Sequence, residues 1–216
     1  MNKYQNRYEA GKTLGQQLSA YADRTDVIVF ALPRGGVPVG FEIAKALSAP
    51  LDVFIVRKLG VPEHRELAMG AIATGGAKIL NDYVINDLNI SQHAIQAVLL
   101  EEQQELKRRE KAYRGDQPFP SLKNKIVILV DDGIATGASI RAAIKALQQF
   151  SPARLVVAVP VADKSICAEI RPLVDEFICP LQPSSLYAVG AWYDDFSQTE
   201  DEEVYSLLRQ TKEMNL

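Results

Sequence analysis

The chain has 216 residues, the length of one α/β domain or of a domain with a small appendage. Apolar residues make up 47% and charged residues 24%, a balance that builds a core and excludes a disordered chain. With 24 basic against 27 acidic side chains the net charge is −3, which gives no overall attraction to nucleic acid or to an anionic membrane.

In chain order, residues 4–22 read as an N-terminal helix, and the opening MNKYQNRYEAGK lacks the apolar centre of a signal peptide. Residues 27–32 are the first of four short runs rich in β-branched and apolar side chains. The others are 51–56, 126–130 and 155–161, with a weaker fifth at 176–179. Runs 27–32, 126–130 and 155–161 are almost continuously apolar, as expected of strands buried on both faces of a parallel sheet. Helical patterns lie between them, at 39–47 and at 139–150 with Ile140, Ile144 and Leu147 on one face. Residues 71–81 predict a hairpin turning at Gly75-Gly76. The 91–114 segment predicts a long exposed helix. Its thin apolar stripe of Ile95, Val98, Leu99 and Leu106 is set against the i,i+4 pairs Glu105/Arg109 and Glu110/Arg114. A proline-containing loop follows at 115–122, and a C-terminal helix at 201–214.

The pattern predicts one α/β domain over 1–216, with an open, mainly parallel sheet flanked by helices and ligands at the carboxyl ends of the strands. The longest apolar runs fall far short of the ~20 residues that span a bilayer, so a cytoplasmic protein is expected. Cys167 and Cys179 are too few for a zinc cluster and too far apart for a CxxC unit, and read as buried thiols.

The stretch 125–139, KIVILVDDGIATGAS, carries the most chemistry. A buried strand runs straight into Asp131 and Asp132, then into a small-residue loop, then into a helix starting near Ser139. Two adjacent carboxylates at the end of a central strand lose hydration, a cost that a ligand, metal or water must offset. The loop Ala135-Thr136-Gly137-Ala138-Ser139 offers consecutive backbone N–H groups, two hydroxyls and a helix N-terminus, which together suit a phosphate dianion. Helix capping by Thr136 or Ser139 accounts for one polar group but not for the paired aspartates. Other phosphate motifs fail. Gly11-Lys12-Thr13 has Asn6 where a P-loop needs glycine and no strand before it, and 35–40 lacks GxGxxG spacing.

Two more loops follow predicted strands. Pro33-Arg34-Gly35-Gly36 combines a fork of donors with two glycines whose N–H groups stay open to a ligand. Pro38 stands near the start of the next helix, where proline is well tolerated. Arg57 and Lys58 are expected to end the 51–56 strand on the same crevice as Asp131 and Asp132. There they either neutralise an anionic ligand or pair with the aspartates.

VDDGIATGAS resembles the phosphoribosyl pyrophosphate (PRPP) signature of type I phosphoribosyltransferases. RYEAGKTLG, LPRGGVPVG, VRKLGVP, ELAMGAIA and YAVGAWYDDFSQTEDEEV extend the likeness, to a bacterial group of that family, along the whole chain. The resemblance implies the fold of that family with a small C-terminal hood at 180–198. It implies that Asp131 and Asp132 hold the ribose hydroxyls and that Ala135, Thr136, Gly137, Ala138 and Ser139 bind the 5′-phosphate. Arg34, Gly35, Gly36, Arg57 and Lys58 would receive pyrophosphate, the first three in a loop where a cis peptide is common. Residues 61–69 resemble the start of the mobile loop that closes over PRPP, with His64 either a base or an exposed loop side chain. In the hood, Tyr187, Trp192 and Tyr193 either stack on a flat acceptor or pack the hood against the core. Ala135 stands where purine-salvage enzymes place an aspartate base, which argues against a 6-oxopurine acceptor.

The implied reaction displaces pyrophosphate from C1′ of PRPP by a nitrogenous acceptor. Asp131, Asp132, Arg57 and Lys58 would be its catalytic groups, and Mg²⁺ would be held through PRPP and water. Expected partners are PRPP, the acceptor and a second copy of the chain, with no membrane. The competing reading is a PRPP-sensing regulator that binds nucleic acid through Lys107, Arg108, Arg109, Lys111, Arg114, Lys123 and Lys125. A solvated helix face interleaved with Glu105 and Glu110 explains these as well, and no nucleic-acid motif accompanies them.

Overall fold

Strands that are apolar at every position need cover on both faces, and the fold supplies it. The computed structural model describes residues 3–214. In chain order, α1 (Arg7–Gln17) leads into β1 (Val27–Ala31), α2 (Gly36–Leu47) and β2 (Leu51–Val53). A three-stranded antiparallel unit follows, made of β3 (Val56–Val61), β4 (His64–Ala73) and β5 (Ala77–Leu80), and then α3 (Asp82–Asp87) and α4 (Gln92–Arg114). The chain returns through β6 (Ile126–Val130), α5 (Ala138–Gln148), β7 (Arg154–Ala158), α6 (Lys164–Ile170) and β8 (Glu176–Ile178), and closes with α7 (Asp201–Glu213).

The larger sheet is parallel throughout, in the order β2-β1-β6-β7-β8. Its side chains alternate between two cores. Val27, Val29, Ile126, Ile128 and Val130 join residues of α2, α4 and α7, whereas Ile28, Phe30, Val127 and Leu129 join residues of α5 and α6. In this strand order the crossovers diverge between β1 and β6. The loops after those two strands therefore open onto one crevice, at the switch point where ligands bind such sheets.

The strand expected over 51–56 is interrupted. β2 ends at Val53, after which Phe54 N–H donates to Ala31 O and Ile55 N–H to Thr74 Oγ1, each at 3.0 Å, before β3 begins in the other sheet. Phe54 and Ile55 are both buried, so hydrophobicity runs unbroken across the exit and conceals it. The turn at Gly75-Gly76 is present between β4 and β5, with φ of 79° and 84°. The N-terminal helix stops at Gln17, and a 3-10 turn over Ser19–Tyr21 completes the segment. Helices α3 and α6 had no counterpart in the sequence pattern. At six and seven residues they are too short for periodicity to mark, and each is opened by a side-chain cap, Asn81 and Asp163.

Helix α4 begins at its cap Ser91, whose hydroxyl accepts from Ala94 N–H at 3.2 Å. At its other end the buried Arg114 bonds the Asp52 carboxylate at 3.0 Å and Pro118 O at 3.2 Å, which ties the helix to β2. Among the described residues, no helix is long and apolar enough to cross a membrane.

Thr74 is fully buried where the two sheets meet, and exchanges two hydrogen bonds with Ile55: its N–H donates to Ile55 O at 2.9 Å, and its hydroxyl accepts from Ile55 N–H. Thr74→Val keeps the volume but leaves the Ile55 N–H without its acceptor. Urea unfolding should show a loss of about 1–3 kcal/mol; unchanged stability would mean the junction does not depend on this bond.

Candidate functional site

β6 is buried along its length, and Asp131 and Asp132 follow its last residue directly. Burial pushes the Asp131 carboxyl well above the ordinary carboxylate range, and the neighbouring Asp132 charge pushes it the same way. Burial also raises Asp132, but there the Arg7 guanidinium opposes it. Arg7 Nε donates to Asp132 Oδ2 at 2.8 Å, with both side chains more than four-fifths buried. The arrangement favours the charge on Asp132 and the proton on Asp131.

The loop after β1 closes against these acids. Its Pro33–Arg34 peptide is cis. A Cβ on Gly35 would collide with the Asp132 carboxylate, and one on Gly36 would lie 2.9 Å from Val130 O. Only glycine allows that approach. Beyond the acids, Ile134 N–H donates to Val161 O at 2.9 Å and pins the next loop, and Gly137, with φ of 76°, caps α5. Asp131, residues 133–140 and Val189 line a cavity of about 190 Å³, with Ala135, Thr136, Ala138 and Ser139 exposed. The structure thus brings Asp131, the five loop residues and the Gly35-Gly36 turn together.

The 180–198 segment reaches this crevice through Val189 and is stitched to the start of the chain. Tyr4 N–H donates to Trp192 O at 3.0 Å, while Asp194 N–H and Asp195 N–H donate to Tyr4 O and Gln5 O, each at 2.9 Å. Of the three aromatic side chains expected to meet an acceptor, Tyr187 is exposed and Trp192 half-buried. Tyr193 is buried between Tyr4 and Phe196, and its hydroxyl donates to Asp132 O at 2.6 Å. It packs the segment onto the site and presents no free face to an acceptor.

Arg7 is the site residue that sequence reasoning missed. Besides Asp132, it donates from Nη1 to Ser197 O at 2.7 Å, and its guanidinium lies 3.8 Å from the centre of the Phe196 ring. Its partners are 125 and 190 residues away, so no local spacing marks it. The one available signal was its place in RYEAGKTLG.

The three cations expected in one crevice are held apart. Arg57 bonds Glu102 of α4 through Nε at 2.7 Å and Nη2 at 2.6 Å, and Lys58 Nζ reaches Glu66 O at 3.3 Å. Both line a cavity of about 620 Å³ between the β3–β4 hairpin and α4, distinct from that of Asp131. The break after Val53 is the cause, because it carries them into the second sheet. Arg34 turns to the start of α7, 3.5 Å from Glu200 and 3.8 Å from Asp201. The basic run of α4 is met by its own acid, since Arg108 and Arg109 both bond Glu105 at 2.7 Å. His64 is exposed at the start of β4.

Because its folded value is raised, Asp131 contributes stability that is complete below the ordinary carboxyl value of 3.8 and is lost as pH rises through the folded value. Asp131→Asn fixes the neutral form and retains the oxygen that accepts from Asp132 N–H at 2.9 Å. Denaturation at neutral pH should find the variant more stable than wild type, with the gap closing toward pH 3. A gap independent of pH would contradict the raised carboxyl.

The phosphoribosyl transferase domain family matches residues 1–179. A protein of Mycobacterium tuberculosis named as a phosphoribosyl transferase is 42% identical over 208 residues, covering 96% of this chain and 47% of that protein. The chain thus spans about half the length of the curated relatives it matches. A shorter stretch of 52 residues, 24% of this chain, is 48% identical to 29% of the Bifunctional protein PyrR of Actinobacillus succinogenes. Among solved structures, TT1426 from Thermus thermophilus superposes with a TM-score of 0.85 at 36% identity, covering 96% of this chain and 98% of that one. The family match takes in the acidic pair, the phosphate-suited loop and the parallel sheet that carries them, and the chain belongs to the phosphoribosyl transferase domain family, with its type I α/β fold.

Proposed function

We propose that the crevice binds PRPP and transfers its phosphoribosyl group to a nitrogenous acceptor, releasing pyrophosphate. The observation that carries this reading is that Asp131 lines one cavity with the 135–139 loop, while Asp132 stands beside it and the Gly35-Gly36 turn packs against both residues. One end suits a phosphate, the middle a diol and the far side a second anion. That is the order of groups along PRPP.

In this reading Ala135 to Ser139 hold the 5′-phosphate through backbone N–H groups, the two hydroxyls and the N-terminus of α5. Asp131 and Asp132 hold the ribose hydroxyls, and the negative charge that the pair carries on Asp132 lies near C1′ when that carbon turns cationic as the bond to pyrophosphate breaks. The Arg34-Gly35-Gly36 turn receives the departing diphosphate, which competes with Glu200 and Asp201 for the Arg34 guanidinium. Arg57 and Lys58 join it when the hairpin swings off α4 and the Arg57–Glu102 pair opens. The acceptor enters beneath the 180–198 segment, acting as a hood, beside Tyr187 and Trp192. Among the described residues no group of three or more His, Cys, Asp or Glu is arranged around a metal. Mg²⁺ would be held through PRPP and water, with Asp131 and Asp132 the carboxylates nearest to it, and would offset the charge of the leaving pyrophosphate.

Pyrophosphate release from PRPP and Mg²⁺, measured against a panel of nucleobases and other nitrogen heterocycles, tests the reading. Turnover with at least one acceptor is expected. PRPP binding without turnover on any acceptor would assign the site to sensing, the alternative activity class.

Gly137→Val tests the phosphate end separately. It forces a β-branched residue into a left-handed turn, with its Cβ about 3.1 Å from the Arg141 guanidinium. Ribose 5-phosphate and PRPP should both lose detectable binding by calorimetry. Wild-type affinity in a folded variant would remove the loop from the site.

A further inference from the structure

We propose that Arg7 is a positioning residue: from α1 it fixes the Asp132 carboxylate for the sugar and makes that grip depend on the 193–197 segment. The inference rests on the reading of Asp132 as a ribose ligand. The groups that face Asp132 are Asp131 beside it, the Gly35 backbone, Tyr193 and Arg7.

Three of these groups come from outside the β6–α5 unit, and two of them hold Asp132 by hydrogen bonds. Tyr193 holds the main-chain carbonyl of Asp132, and Arg7 holds Oδ2. With Oδ2 engaged, Oδ1 is left to meet a hydroxyl, and the carboxylate cannot rotate without breaking a charge-assisted bond. Arg7 is itself fixed on three sides, by Asp132 at Nε, by Ser197 O at Nη1 and by the Phe196 ring beneath its plane. A planar fork meets all three at once, which an ammonium cannot do. The 193–197 segment therefore sets the carboxylate that the sugar would use.

A purely architectural ion pair, tying α1 to the sheet, is the opposing explanation. It predicts lost stability with no preference among ligands. Titration calorimetry of the full chain separates the two, using ribose 5-phosphate and inorganic phosphate as probes, since only the first carries a sugar.

Arg7→Met should weaken ribose 5-phosphate about tenfold or more while leaving inorganic phosphate within about twofold. Arg7→Lys should recover part of the loss. In an Asp132→Asn background, Arg7→Met should add nothing further, because the arginine acts through that carboxylate. Equal weakening of both probes, or losses that add in the double variant, would overturn the proposal. Full sugar affinity in Asp132→Asn alone would remove the ribose assignment and this inference with it. Loss in Asp132→Asn with none in Arg7→Met would sink only the role of Arg7. Should Arg7→Met not fold, Phe196→Leu removes the stacking face and leaves both charges. A smaller, sugar-specific loss is then expected, and unchanged ribose 5-phosphate affinity counts against the proposal.

Discussion

Arg7 meets Asp132 at 2.8 Å, at the point where β6, buried along its length, ends and two carboxylates follow in succession. Desolvating both charges without a partner would cost several kcal/mol each. The surrounding structure answers that cost locally. One carboxylate has a guanidinium, the other retains its proton more tightly, and the Asp132 backbone is bonded at both its N–H and its carbonyl. The glycines of the 33–36 turn let backbone rather than side chain fill the space on the far side. Remove the acids, and neither the bare turn nor the buried arginine has a reason to be there.

Much of this was legible in the sequence, for physical reasons that differ by element. β1, β6 and β7 declared themselves because a strand covered on both faces has no polar positions to blur it. The acidic pair and the 135–139 loop stood out because their residue types conflict with the apolar strand before them. The 51–56 run misled because hydrophobicity reports burial, not membership of a sheet, and Phe54 and Ile55 are as buried in the junction as they would be in a strand. That one break displaced Arg57 and Lys58 from the crevice. Arg7 was silent because an ion pair spanning 125 residues leaves no periodic trace. Tyr193 could be read as either a stacking or a packing residue until its burial was known.

The charge pattern of α4 looks different once its partners are known. Spacing alone suggested a solvated face supported by its own i,i+4 pairs, and Glu105 with Arg109 is such a pair. Glu102 instead holds Arg57 of the hairpin in a largely buried pair, and Arg114 holds Asp52 at the edge of the parallel sheet. The helix is thus a strut between the two sheets. Its polar residues are divided between solvent and structure, and Arg114, one of the basic residues that drew attention in the sequence, belongs to the structural share.

The stitching of the 193–197 segment to residues 4–7 also bears on how the molecule comes to be. β1 and β6 can pair and α5 can dock as soon as residue 148 has been made, but the contact between Arg7 and Ser197 closes a loop of 190 residues. Contacts of such separation are slow to form, because the entropy of closing the chain is lost before any bond is gained. During synthesis the two aspartates therefore emerge well before the segment that braces Arg7 leaves the ribosome. A chain stopped short of residue 193 would carry the acidic motif without its clamp, and without α7, whose Val204, Leu207 and Leu208 complete one of the two cores.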